Sequence, residues 1–153
     1  MKPGQIRPLA IGIFRRDDQI LVFEGYDPAA RETFYRPLGG AIEFGEYGHQ
    51  ALAREVREEI GIEVENLCYL GLSENLFTFA DEAGHEIVLI YEGDLVDRAI
   101  YQRDLTMGQE DDGSPLKVVW VPLARFQRGE APLYPDGLLE LLLAHSDSTA
   151  EAE

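Results

Sequence analysis

The sequence predicts an α/β domain, a mixed β-sheet covered by helices. Two observations predict it: β-rich apolar runs come in blocks, and three helical stretches lie between and after them.

Residues 9–14 and 19–23 are apolar and β-rich, and the polar turn 15–18 between them makes the pair a hairpin. Residues 32–35 form a further short strand. Pro37 and the pair Gly39-Gly40 then end any regular run. Residues 47–60 read as a helix, because Leu52, Val56 and Ile60 recur every four residues as one apolar stripe. Gly61 supplies the left-handed residue that commonly closes a helix. Strands follow at 64–72, 75–79 and 86–95, with a turn at 81–84. Residues 106–115 form a polar loop around Glu110-Asp111-Asp112, and 117–121 a short strand. Pro122 opens a short helix through Phe126, since proline is tolerated in a first turn. A last helix runs from Asp136, its N-cap, to His145. Residues 1–145 are thus expected to form a single domain, and 146–153 a disordered acidic tail.

The chain has 153 residues, enough for one domain with a real core. Acidic residues number 29 against 13 basic ones, a formal net charge of −16. That excess argues against broad nucleic-acid binding, which needs a cationic face. No run is long enough to span a bilayer. Cys68 is the single cysteine, so no internal disulfide forms; its apolar strand predicts a buried, inert thiol. A lone thiol and no signal peptide point to a cytoplasmic location.

The helix breaks its own rules. Spacings of three and four put Glu55, Glu58 and Glu59 on one flank. Like charges there repel, at a cost of about 0.2–0.5 kcal/mol per pair. Glu58 and Glu59 also occupy the last turn, where the helix dipole favours cations by about 0.3–1 kcal/mol. Arg54 offsets part of this. A divalent cation would remove the rest, and three carboxylates suit magnesium or manganese. A merely solvated acidic face is the other reading of these residues alone.

The surrounding residues decide between them. Gly40 is followed after five residues by Glu46, and after seven more by Arg54-Glu55-Val56-Arg57-Glu58-Glu59-Ile60-Gly61-Ile62. This resembles the catalytic segment of the Nudix hydrolases at every specified position. Pro37-Leu38 stands where the commoner order is leucine-proline, which should alter the turn in detail. Trp120-Val121-Pro122-Leu123 resembles a strand common near the end of such domains.

The resemblance implies a Nudix fold, an α/β/α sandwich with a loop-helix-loop catalytic segment. It implies a divalent-metal-dependent hydrolase that cleaves the pyrophosphate of a nucleoside diphosphate linked to another group. Glu55, Glu58 and Glu59 carry over as metal ligands with the Gly40 carbonyl, Arg54 as the residue that orients a glutamate, and Glu46 as a supporting acid. Magnesium, or manganese, is the implied cofactor. Glu58, Glu59 and Arg54 are the catalytic candidates. The general base can come from the helix or from a loop; Glu110 is preferred over Asp111 and Asp112, and a solvated turn is the alternative there. Arg36 can reach a phosphate or serve the surface. Phe34, Tyr35, Phe77, Phe79 and Tyr91 can stack on a base or pack in the core; Tyr35 and Phe79 are carried as substrate-binding candidates. Some relatives are non-catalytic nucleotide sensors, but those often lose a catalytic glutamate and this chain keeps all three. Many relatives are homodimers, which makes a homodimer an expectation. The proline typical of ADP-ribose enzymes is missing between Gly61 and Pro115, and residues 75–79 offer phenylalanines in place of the tyrosine of dinucleoside-polyphosphate enzymes. Nucleoside triphosphates and nucleotide sugars stay open.

Overall fold

The computed structural model describes residues 4–152, with side chains through residue 145. Strands β1 (Ile6–Arg16) and β2 (Gln19–Asp27) form the expected hairpin, closed by Asp17 at φ 54. Alternation sets what each strand buries. Leu9, Ile11 and Ile13 of β1 join one core, and Ala10 and Phe14 join a second.

The other strands are β3 (Glu32–Ala41), β4 (Val64–Phe79), β5 (Glu82–Leu95), β6 (Leu105–Gln109) and β7 (Pro115–Pro122). They form one seven-stranded sheet in the order β4-β5-β1-β3-β2-β7-β6. Among the described strands β1 and β5 pair in parallel and the other pairs are antiparallel, so the sheet is mixed. Helix α1 (Gly48–Ile60) packs Ala51, Leu52 and Val56 into the second core. Helices α2 (Leu123–Gln127) and α3 (Leu138–Ala152) pack Phe126, Leu138 and Leu142 into the first. Helices therefore cover both sheet faces, as the α/β/α expectation requires.

Several elements depart from the expectation. Pro37, Gly39 and Gly40 do not end β3. The strand runs through them by changing partner: it pairs with β2 as far as Val22↔Pro37, and with β1 from Gly12↔Leu38 onward. Gly39, at φ 143, lies so close to β1 that a Cβ there would stand 2.1 Å from the Ala10 carbonyl oxygen. Strand β4 is one long strand where two were expected, with register irregularities near Cys68 and Gly71. Its turn into β5 is Ala80-Asp81, both at positive φ, as a two-residue hairpin demands. Strand β6 occupies part of the expected polar loop. A short 3-10 turn at Arg98–Gln102 was not foreseen.

Tyr47 caps α1 instead of opening it, and its N–H donates to Gln50 Oε1 at 2.8 Å. Gly61 closes the helix at φ 72. Helix α3 starts at Leu138 and not after an Asp136 cap, and its backbone continues past His145. The expected tail at 146–153 lies outside the described side chains. Cys68 is exposed, contrary to the buried thiol expected. No helix among the described residues is long and apolar enough to cross a membrane.

Candidate active site

A cavity of about 490 Å³ opens where β3 changes partner. Gly39 and Gly40 of β3, Glu55 and Glu59 of α1, and the β6–β7 loop at Glu110, Asp111 and Asp112 all line it. Two glycines let these parts meet. A Cβ on Gly40 would lie 2.4 Å from Glu55 Cδ, so only glycine leaves room for that carboxylate. A Cβ on Gly108 would lie 2.3 Å from the Glu59 carbonyl oxygen. Glycine there lets β6 approach the end of α1 and carry its loop over the acids.

The three helix glutamates part company. Glu55 and Glu59 are buried, at 6% and 9% exposure, and Glu58 is about half exposed. Oxygens of Glu55, Glu58 and Asp111 all lie within 4.8 Å of one another. Glu59 is not in that trio; its Oε1 accepts from Gly39 N–H at 3.1 Å. Burial first, and the Glu55 carboxylate second, push Glu59 up to about 8. Glu55 is also raised, by burial and by the charges of Asp111 and Glu58.

Arg54 organises the opposite side. Its Nε and Nη2 hold Glu46 Oε2 and Oε1 at 2.9 and 3.0 Å, a bidentate pair. Its Nη1 reaches Glu55 Oε1 at 3.0 Å and Glu58 Oε2 at 3.3 Å, and its Nη2 also donates to the Ala41 carbonyl at 3.0 Å. The Arg54 bonds, with the Glu43 N–H, hold Glu46 down at about 2. One arginine thus orients three glutamates, two more than the resemblance assigned to it. Arg57 turns away to pair with Glu63.

These residues fit a divalent cation. The donors are hard carboxylate oxygens, the fold presses them together, and Gly40 is hollowed out for one of them. Asp111 is the loop member that joins the helix acids. Glu110 lines the cavity with its Oε2 held by Ser114 Oγ at 2.7 Å.

Arg36 is not at the surface. Its Nη2 lies 3.2 Å from Oε1 of Glu86, a carboxylate only 2% exposed, which also receives Asn75 Nδ2 at 3.2 Å and has Arg7 3.8 Å away. Glu86 was missed by sequence reasoning. The available signal was register: period two puts it on the same face as the buried Val88 and Ile90. Tyr35 lines neither this cavity nor its neighbour. It lies in the core on Phe126, its hydroxyl donating to Glu24 Oε1 at 3.1 Å, so its part in substrate binding is corrected. Tyr91 is likewise core. Phe34, Phe77 and Phe79 line an adjoining cavity.

The chain matches the NUDIX domain over residues 6–142 and belongs to that family of hydrolases. A curated relative, the NAD-capped RNA hydrolase NudC of Klebsiella pneumoniae, is 41% identical over 92 residues, covering 56% of this chain and 35% of that protein. NudC of Escherichia coli is 46% identical over 66 residues, covering 43% and 25%. The chain therefore spans about a third or less of these relatives' length. A NUDIX hydrolase from Nitrosomonas europaea superposes with a TM-score of 0.65 at 18% identity, covering 96% of this chain and 90% of the other. A structure described as an ADP compounds hydrolase gives 0.63 at 19%, covering 97% and 77%. At those identities the likeness shows the fold.

Proposed function

We propose that this chain is a divalent-metal-dependent hydrolase that cleaves the pyrophosphate link of a nucleoside diphosphate joined to another group. The observation that carries the reading is the trio Glu55, Glu58 and Asp111, drawn together from two distant segments beside a glycine that leaves room for one of them. The relatives' printed activity, on NAD-capped RNA, supports a nucleotide-type substrate.

In this reading Glu55, Glu58 and Asp111 hold magnesium or manganese, and Glu59 and the Gly40 carbonyl are further candidates. When bound, the metal supplies positive charge to the phosphate oxygens and acidity to the attacking water. The protein's own groups do the rest. Arg54 fixes the rotamers of Glu55 and Glu58 and is itself fixed by Glu46. Arg36 and Arg7 stand at the cavity wall, already aimed by Glu86, where they counter phosphate charge. Glu110, positioned by Ser114, takes the proton of the attacking water on its carboxylate.

A panel of nucleoside triphosphates, nucleotide sugars, ADP-ribose and dinucleotides, incubated with magnesium and scored for the products of diphosphate cleavage, tests the reading. Turnover of at least one compound, abolished by excess chelator, is expected. Binding without turnover would overturn the reading in favour of a nucleotide sensor.

A further inference from the structure

A second cavity, of about 590 Å³, adjoins the first, and Arg7, Phe23, Arg36, Glu86 and Glu110 line both. A single molecule can therefore span the two. The shared wall carries both arginines. The far end differs: it is aromatic and acidic. Phe34 meets Phe79 edge-on with centroids 6.0 Å apart, and meets Tyr134 with centroids 5.7 Å apart. Backbone bonds pin the segment bearing Tyr134 to β3: Tyr134 N–H donates to the Tyr35 carbonyl at 2.9 Å, and Tyr35 N–H to the Pro132 carbonyl at 3.0 Å. The aromatic group is thus built into the fold.

Around these rings stand Asp27, Glu32 and Asp136. The Tyr134 hydroxyl donates to Glu32 Oε1 at 3.4 Å. After burial, the charges of Glu32 and Asp136 are what raise its pKa, which places both close by. Asp27 is occupied with backbone N–H groups of Ala29 and Ala80. Glu32 and Asp136 have no basic side chain against them among the described ion pairs. At the floor, Asn75 is 2% exposed and its Oδ1 is a buried oxygen with no hydrogen-bond partner.

The charge pattern is polar along its length: arginines at the junction with the first cavity, aromatic faces and carboxylates beyond. Phosphate is repelled by that far end. A cation is attracted twice, by ring faces and by carboxylates. We propose that the second cavity seats a positively charged planar ring carried by the substrate beyond its diphosphate. The proposal rests on the first cavity being the seat of that diphosphate.

Calorimetric binding in calcium buffer separates the two claims, because it reads the ring without requiring hydrolysis. Two matched probe pairs serve. NAD+ carries a pyridinium that NADH lacks, and 7-methylguanosine-capped GpppG carries a positive charge that plain GpppG lacks. The charged member of at least one pair is expected to bind about tenfold more tightly. In a Glu32→Gln, Asp136→Asn double variant of unchanged Tm, that ratio should fall toward one. Equal affinities within both pairs, or a ratio that survives the double substitution, would overturn the proposal. Equal affinities together with metal-dependent hydrolysis of these compounds would remove the ring assignment alone. A charge preference without any hydrolysis would keep the ring assignment and remove the catalytic reading.

Discussion

Glu46 and Glu59 are the same residue type at two edges of one acidic cluster, and the fold treats them oppositely. Glu46 lies against a bidentate arginine and stays ionised down to about pH 2. Glu59 lies under β3 with Gly39 N–H as its hydrogen-bond donor and other carboxylates around it, and its pKa rises to about 8. Charge is thus compensated at Glu46 by Arg54 and left uncompensated on the cavity side. The difference locates where positive charge is missing, which the spacing of the glutamates along α1 does not do.

Three experiments break or sharpen that contrast. The largest effect is expected from Glu58, which touches Arg54 and also belongs to the trio with Asp111. Glu58→Gln keeps the shape and removes the charge; kcat should fall on the order of a hundredfold while Tm stays close to wild type. Unchanged turnover would show that the uncompensated side is not catalytic.

Arg54→Lys attacks the compensated side. Lysine keeps the charge but cannot grip Glu46 through two parallel bonds. The magnesium concentration for half-maximal activity should rise about ten- to a hundredfold, the usual scale for losing a group that orients ligands. An unchanged metal requirement would mean that Glu55 and Glu58 hold their positions without it.

The most specific effect is on stability. In metal-free protein a raised Glu59 pKa favours the protonated folded state. Its contribution is complete below the unfolded value near 4.5, declines as the pH climbs, and is gone above about 8. Across that window it amounts to ~5 kcal/mol at most, by the linkage of pKa to stability. Glu59→Gln should abolish this part of the Tm decline between pH 4.5 and 8, measured in chelator. Parallel Tm curves for variant and wild type would show that Glu59 titrates normally.

The helix α1 was legible because its information is local: an apolar stripe, a closing glycine and three misplaced acids lie within one short stretch. Two members of the trio, Glu55 and Glu58, came with it. Asp111 was named only as one of three loop acids, since what selects it is the approach of β6 to α1 through Gly108, a contact between segments far apart in sequence. The grouping of Glu86 with Arg7, Arg36 and Asn75 was invisible for the same reason: four strands each contribute one residue. Tyr35 and Phe34 are adjacent aromatics, and only the strand's facing decides which one enters the core and which the cavity. Strand β3 was misjudged because proline and two glycines normally punctuate a chain, whereas here they mark a transfer between neighbours.

That transfer has a consequence for the shape of the whole molecule. A strand that leaves one neighbour for another opens a seam in the sheet, and both cavities lie along it: Arg36 from β3 meets Glu86 from β5, and Phe34 from β3 meets Phe79 from β4. The seam begins at Pro37, the last residue of β3 that pairs with β2. In this protein the position of the binding cleft traces back to one strand's change of partner between Pro37 and Leu38.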